Sequence, residues 1–293
     1  MRNLRTFLIR YKYVLLLFPS LFLLTVFFLI PMVMLLAMSF FKYDRISLYI
    51  IQLTWDNYVK FFSDPYFFGM VYDSLKVGFY TTIFALLIGY PIAYYLARIR
   101  GGERTMLSAA CLLPIFVTIL VTTLGWYIIF LPFGVVQRLF EFLGFIDGPL
   151  HWLHSVPALI VVFVHLHMPY VILILAASIQ NVSEEKINAA KILGASTPKI
   201  IQKVLIPLTM PGIVSSSILV FALAISSYLI PILITGQSLR LLPMAIFSYT
   251  TELLNWPFAS AIAIILLFIV FIATYGFIAL TNRMTNRGKW EVV

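Results

Sequence analysis

The chain has 293 residues, of which 62% are apolar, 16% are aromatic and 11% are charged, with a net charge of +9. A soluble domain is about 45–50% apolar and about 25% charged, so 20 basic and 11 acidic side chains cannot cover a protein of this length with a water-facing surface. This composition excludes a soluble enzyme, a disordered chain and a disulfide-stapled secreted module, and it predicts an integral membrane protein.

Six apolar stretches are long enough to cross a bilayer, which takes about 20 residues. In chain order they are 13–38, 71–97, 106–131, 156–180, 212–234 and 258–281. Their continuous apolar runs exclude the short alternating strands of a β-barrel. The first run is too long for a cleaved signal peptide, so we expect it to be retained as a signal anchor. The sequence therefore predicts an all-α integral membrane protein, with six transmembrane helices forming a single transmembrane domain over 1–293.

The basic residues of the loops orient these spans, because cytoplasmic loops are enriched in lysine and arginine. One side carries the fourteen residues Arg2, Arg5, Arg10, Lys12, Arg98, Arg100, Arg104, Lys186, Lys191, Lys199, Lys203, Arg283, Arg287 and Lys289. The other side carries five, namely Lys42, Arg45, Lys60, Arg138 and Arg240, with Lys76 at a span end. Both termini are therefore expected to be cytoplasmic. The positive charge follows this asymmetry, so we expect no nucleic-acid partner.

The spans contain few groups that could bind an ion or carry out chemistry. His165 and His167 lie deep in the fourth span, but residues two apart on a helix point about 200° away from each other, so they cannot form one site. Either a local hydrogen bond or a role of one histidine in a solute pathway would explain them. The sequence has no phosphate-binding loop, no H-E-x-x-H and no G-x-S-x-G motif. We therefore expect no catalytic residue, no metal and no cofactor on this chain, and uphill transport would need energy from another subunit.

The loop at 181–211, between the fourth and fifth spans, has a helical pattern. Ser183 is a candidate helix cap, and Ile187, Ala190 and Leu193 recur at helical spacing before Gly194, which suits a left-handed helix end. We expect a second short helix to follow, with Thr197 as its cap and Pro198 at its first position. Pro207 and Pro211 should then break the helix before the chain re-enters the membrane. This pair of helices either packs under the bundle or docks on a cytoplasmic partner.

The same loop resembles a known motif. From Asn188 to Pro207 it reads N-A-A-x3-G-x9-V-x-I-P, which is similar to the E-A-A-x3-G-x9-I-x-L-P motif of permeases from binding-protein-dependent ATP-binding-cassette (ABC) importers. The resemblance implies a type I ABC importer permease fold in which this loop couples to a separate ATPase. The residues implied for coupling are Glu184, Glu185, Asn188, Ala189, Ala190, Gly194, Val204 and Pro207. Asn188 departs from the family's glutamate, so an ion pair made by that glutamate is in doubt, and Glu184 or Glu185 would have to replace it.

Further segments narrow the resemblance to the spermidine/putrescine branch. These are TWDNYVKFFSDPYF (54–67), GYPIAYYLA (89–97), SSYLIPILITG (226–236) and NWPFASA (255–261). The resemblance implies an inner-membrane subunit that imports a polyamine. Its implied partners are a second permease or a second copy, two ATPase subunits that hold ATP and magnesium, and a periplasmic or lipid-anchored solute-binding protein. Ferric ion, sulfate, sugar and opine- or amino-acid-like solutes remain alternatives, as does a stand-alone secondary transporter.

Polar and aromatic residues of the later spans are candidates for the solute pathway. Trp126 and Tyr170 could form aromatic walls, and Ser226, Ser227 and Tyr228 could offer hydroxyl groups to a cation. Serine runs such as 215–217 also allow membrane helices to pack closely, so both roles stay open. Pro91, Pro114, Pro169 and Pro231 are candidate kinks for a permease that must change conformation. An intramembrane serine protease is a remote alternative, because no nucleophile motif accompanies the histidines.

Overall fold

The structure is a computed structural model that describes residues 17–145, 148 and 152–287. Residues 13–16 of the first predicted span, the basic residues of 1–12 and Lys289 lie outside the described residues, so the structure does not test the orientation they predict. The helices in chain order are α1 (Leu17–Ser39), α2 (Asp56–Ser63), α3 (Pro65–Arg98), α4 (Gly102–Phe116), α5 (Ile119–Phe130), α6 (Val135–Phe142), α7 (Val156–Gln180), α8 (Glu184–Ile192), α9 (Thr197–Leu208), α10 (Met210–Ser226), α11 (Leu229–Thr235), α12 (Leu242–Thr251) and α13 (Trp256–Arg287).

The predicted all-α membrane architecture is confirmed. Within the described ranges, five helical segments are long and apolar enough to cross a membrane, and a sixth results if the bent pair α9 and α10 is counted as one span. The third predicted span (106–131) is not one helix, because Val117 and Thr118 adopt extended backbone between α4 and α5. The Thr118 hydroxyl accepts a hydrogen bond from Val121 N at 3.4 Å, so it caps a new helix where continuation of α4 was expected.

The fifth predicted span (212–234) is also interrupted. Ser227 is extended and separates α10 from α11, so the segment forms two helices rather than one. By contrast, α3 and α7 continue through Pro91 and Pro169. The interruptions therefore lie three residues after Pro114 and four residues before Pro231, rather than at these prolines.

Loop 40–55 contains a β-hairpin that the sequence reading did not predict. Strand β1 (Phe41–Asp44) pairs antiparallel with β2 (Leu48–Leu53), and Tyr43 lies opposite Tyr49. The Asp44 carboxylate accepts hydrogen bonds from the backbone N–H groups of Ser47 (2.8 Å) and Ile46 (3.1 Å), which closes the turn. These hydrogen bonds, with the Ser47 backbone N–H first among them, hold the pKa of the Asp44 carboxyl below its usual range.

Among the described residues, 17–64 and 246–265 form one compact unit. Within it, the Asn57 side chain donates to the backbone carbonyls of Ser39 and Phe41, both at 2.9 Å, and Tyr58 shares a 2.7 Å hydrogen bond with the Ser39 hydroxyl. These bonds attach α2 to the end of α1. The Lys60 amine lies 4.3 Å from the centre of the Phe258 ring, at cation–π distance.

The described residues of 65–245 and 266–287 form the second unit, whose core is built around α3 and α7. The small residues Ala85, Gly89 and Ala93 recur every four positions along α3 and are buried. A Cβ atom at Gly89 would lie 2.6 Å from Cγ1 of Val171, so only glycine permits this approach of α3 to α7. Helix α10 packs on both.

Candidate functional site

The 181–211 loop forms two short helices around Gly194, as the sequence predicts. Ser183 occupies the N-cap position of α8, although its hydroxyl makes no capping hydrogen bond. Glu184 and Glu185 lie in the first turn, where negative charge is favourable to the helix dipole. Gly194 has a φ of +77°, in the left-handed region, and its N–H donates to Lys191 O at 2.9 Å. The predicted glycine helix end is therefore confirmed.

The second helix of the loop differs from the prediction at both ends. Ser196, rather than Thr197, occupies the N-cap position, which moves Pro198 one position further into the first turn. At the other end, α9 continues through Pro207, because a π turn at Ile201–Leu205 widens the helix where the proline ring would otherwise meet the backbone of the preceding turn. The chain instead bends by 74° at Thr209.

One face of both helices is attached to the bundle by an apolar cluster. Its buried members are Val182, Ile187, Ile200 and Leu205, and Tyr94 of α3 packs against them together with Ala190, Ala195, Ile201 and Val204. Two of the residues implied for coupling, Ala190 and Val204, are therefore half-buried and support the loop from within. Glu184, Glu185, Asn188, Ala189, Gly194 and Pro207 are exposed.

The exposed side of the loop carries two large aliphatic residues. Leu193 was predicted to share a helical face with Ile187 and Ala190, but Ile187 is buried and Leu193 is 86% exposed, because the helix ends at Ile192 and the glycine turn directs the chain away. Ile192 is also 86% exposed. The Glu184 carboxylate forms an ion pair with Arg100 at 2.8 Å, in which both side chains are exposed.

A buried hydrogen bond supports the bend between α9 and α10. The fully buried Thr209 hydroxyl donates to Leu205 O at 2.8 Å and accepts from the Tyr90 hydroxyl of α3 at 3.0 Å. The bend is therefore tied to α3 at the level where the loop joins the membrane helices.

We expect the variant Tyr90→Phe to lower the free energy of unfolding by about 1 kcal/mol, the usual net contribution of one internal hydrogen bond. The measurement is the thermal unfolding of purified protein in detergent. Tyr95→Phe is the matched control, because Tyr95 is an exposed tyrosine on the same helix. Equal midpoints for the two variants would contradict a stabilising role of the Tyr90–Thr209 bond.

The candidate pathway residues lie around the interruption of the fifth span. Ser226 ends α10, Ser227 is extended and Tyr228 is 40% exposed. Trp126 of α5 packs against an apolar cluster that includes Ala224 and Ile230, two buried residues that flank this interruption. Trp126 therefore lies near the interruption, and a shared pathway with Ser226, Ser227 and Tyr228 stays a prediction. Tyr170 is half-buried on α7, and its place in the pathway stays a prediction.

The hydroxyl groups of the serine run at 215–217 bond within their own helix. Ser216 and Ser217 are buried, and all three hydroxyls donate to backbone carbonyls three or four residues earlier. This arrangement supports close packing of α10. Ser226 bonds in the same way to Ala222 O but is exposed, so its oxygen retains acceptor capacity toward a solute.

The chain matches the family described as "Binding-protein-dependent transport system inner membrane component" over residues 82–284. Spermidine/putrescine transport system permease protein PotB of Haemophilus influenzae is 31% identical to it, over 89% of this chain and 91% of that protein. PotB of Escherichia coli K12 is 29% identical over 83% and 88% of the two chains. Trehalose transport system permease protein SugB of Mycobacterium tuberculosis is 30% identical over 68% and 66%.

Solved structures of other proteins share this fold. A chain of a bacterial ABC transporter involved in the import of the acidic polysaccharide alginate superposes with a TM-score of 0.74 and 17% identity, over 97% of this chain and 100% of that chain. A chain of the alginate transporter in complex with an alginate pentasaccharide-bound periplasmic protein gives a TM-score of 0.79 at 18% identity, over 97% and 99%. At such identities the similarity establishes the fold and carries nothing about the solute.

Proposed function

This chain belongs to the family of binding-protein-dependent transport system inner membrane components, and on that premise we propose that the solute it moves is a polyamine of the spermidine and putrescine class. The chain is a permease subunit of an ABC importer and a multi-pass protein of the inner membrane. The observation that carries the choice of solute is the 29–31% identity to PotB proteins over 83–89% of this chain. The match to the trehalose permease covers less of both proteins.

The subunits that complete the importer are part of the same proposal. The chain works with a second permease or a second copy of itself, two ATPase subunits that bind ATP and magnesium, and a solute-binding protein on the outer side. The absence of a phosphate-binding loop from the sequence supports ATP hydrolysis on a separate subunit. The distribution of basic residues supports cytoplasmic termini and a cytoplasmic position of the 181–211 loop.

The geometry of the 181–211 loop supports its role in coupling. Its inner face is fixed to α3 through the cluster around Tyr94, while Ile192 and Leu193 project outward as an apolar knob. A rigid loop of this kind can transmit movement of the ATPase pair to the membrane helices, because its core and the bend at Thr209 both contact α3. The interruption at Ser227 lies on the helix that follows this bend, in the candidate pathway.

The proposal is tested by reconstituting the chain in proteoliposomes with the ATPase, second permease and binding protein encoded beside its gene. We expect ATP-dependent accumulation of radiolabelled spermidine or putrescine, and no accumulation of labelled sulfate or trehalose. A neighbouring binding protein that binds iron or a sugar, and no polyamine, would contradict the solute. Uptake by this chain alone, without ATP, would contradict the importer role and favour a secondary transporter.

A further inference from the structure

A groove of about 740 Å³ opens between α3, α5 and α7. Its lining is mostly apolar and rich in aromatic rings, with Tyr80 and Phe84 from α3 and Trp126 from α5. The rings of Trp126 and His165 meet edge to face at 5.5 Å. The groove is long as well as apolar, because Lys76, Tyr80, Phe84 and Ile88 recur every four residues along α3 and line it over about 18 Å.

Lys76 is the only charged side chain that lines the groove. It is half-buried, and within the part of the chain that the structure describes no carboxylate lies within ion-pair distance of its amine. The ring centre of Tyr72, one turn earlier, is 5.8 Å from the amine. A lysine inside an apolar span is costly unless its charge finds a partner or reaches the membrane surface.

The position of Lys76 along the membrane normal indicates which group neutralises its charge. Lys76 precedes Arg98 on α3 by 22 residues, which is about 33 Å of helix and close to the hydrocarbon thickness of about 30 Å. With Arg98 at one membrane boundary, Lys76 lies at the other boundary, where lipid phosphates are found. The exposed rings of Tyr72 and Tyr80 on the same helix match the aromatic belt of a membrane interface.

We propose that this groove binds a phospholipid, whose phosphate pairs with Lys76 and whose acyl chain lies along Tyr80, Phe84 and Ile88. The two halves of the site match the two halves of such a molecule, an anionic group at the membrane surface and a long apolar chain toward the bilayer centre. The positive charge of Lys76 opposes a polyamine at this end of the groove, while Trp126, which also lines the groove, is shared with the candidate solute pathway. The bound lipid fills the space between α3, α5 and α7 that the protein leaves open.

The inference is tested on the purified importer complex in detergent, with phosphatidylglycerol titrated and bound lipid counted by native mass spectrometry. The variant Lys76→Gln should weaken the tightest phosphatidylglycerol site about fivefold, the effect of one basic residue at a membrane surface. Val161→Phe adds a ring to the groove wall without changing charge and should lower occupancy by the same lipid. Lys42→Gln, an exposed lysine of the hairpin, is the matched control and should leave binding unchanged.

Unchanged phosphatidylglycerol affinity in Lys76→Gln would overturn the proposal. So would a Lys76→Gln complex that loses its second permease while lipid binding is retained, because Lys76 would then pair with a carboxylate of the partner subunit. Neither result depends on the identity of the transported solute. A failure of polyamine uptake would therefore not contradict the lipid site, and a failure of lipid binding would not contradict the proposed solute.

Discussion

Replacing both Ile192 and Leu193 with aspartate is expected to reduce ATP-driven solute uptake by at least about a hundredfold, while the permease still inserts in the membrane. Each side chain is 86% exposed in the isolated chain, so the substitution removes no internal packing. Burying one such side chain at a partner surface contributes about 1.5–3 kcal/mol, and two together exceed the 2.7 kcal/mol or so that corresponds to a hundredfold change. An aspartate placed in an apolar groove of the ATPase also buries an unpaired charge, which adds to the loss of binding free energy.

Two measurements separate docking from folding. Co-purification of the ATPase with the variant should fall along with uptake, whereas the yield of the monodisperse permease should not change. Gln202→Asp is the control, because it adds negative charge at an exposed position of α9 in the same loop. ATPase recovered at the wild-type amount with the double variant would show that Ile192 and Leu193 do not contact it.

The sequence was sufficient to predict that the chain is a membrane protein and that the 181–211 loop forms two helices. Both features depend on local sequence patterns and not on tertiary contacts. Long apolar runs can only be placed in lipid, and Gly194 followed by Ser-Thr-Pro specifies a helix end and a helix start within a few residues. The exact cap was displaced by one residue, since Ser196 and Thr197 are both good caps and the sequence alone does not choose between them. Local sequence patterns therefore predict the helix boundaries around Gly194 to within one residue.

Features set by tertiary contacts were not predicted. The exposure of Leu193 depends on where α8 ends relative to the bundle, which periodicity cannot give. The break was expected at Pro207 and Pro211, and the bend lies between them at Thr209, where a tyrosine 119 residues away in sequence completes the hydrogen bonding. The hairpin at 41–53 was missed because the apolar residues of β2 do not alternate, and because the strand pairing depends on a turn closed by Asp44.

The break in the third span was not predicted either. Residues 106–131 carry no charged side chain and are mostly apolar, and membrane helices tolerate an internal proline such as Pro114, so an uninterrupted helix was expected. The break at Val117 and Thr118 follows from a threonine that caps its own downstream helix, an arrangement that competes closely with helix continuation. Trp126, on the helix that follows, is thereby placed against the cluster beside the Ser227 interruption.

Gly194→Val is expected to lower uptake about tenfold or more through backbone strain alone. At a φ of +77° a residue with a side chain costs about 1–2 kcal/mol, and a β-branched residue costs more. A Cβ atom at Gly194 would meet nothing within 4 Å, so no steric clash contributes. To escape the strain the turn must open, which breaks the bonds from Gly194 N to Lys191 O and from Ala195 N to Ala190 O and moves Ile192 and Leu193 from their positions.

Two variants isolate this effect from general destabilisation. Gly194→Asn should keep most of the uptake, because asparagine tolerates the left-handed conformation better than other residues with side chains. Gly101→Val places the same residue at a φ of +78° and a ψ of −154°, a region that only glycine adopts readily, so its local strain is at least as large, but it lies in the loop between α3 and α4 with nothing within 4 Å. Membrane-vesicle uptake should therefore fall in the order wild type, Gly194→Asn and Gly101→Val, then Gly194→Val. If Gly101→Val and Gly194→Val reduce uptake equally, strain in any loop is sufficient and the geometry of the Gly194 turn has no special part in coupling.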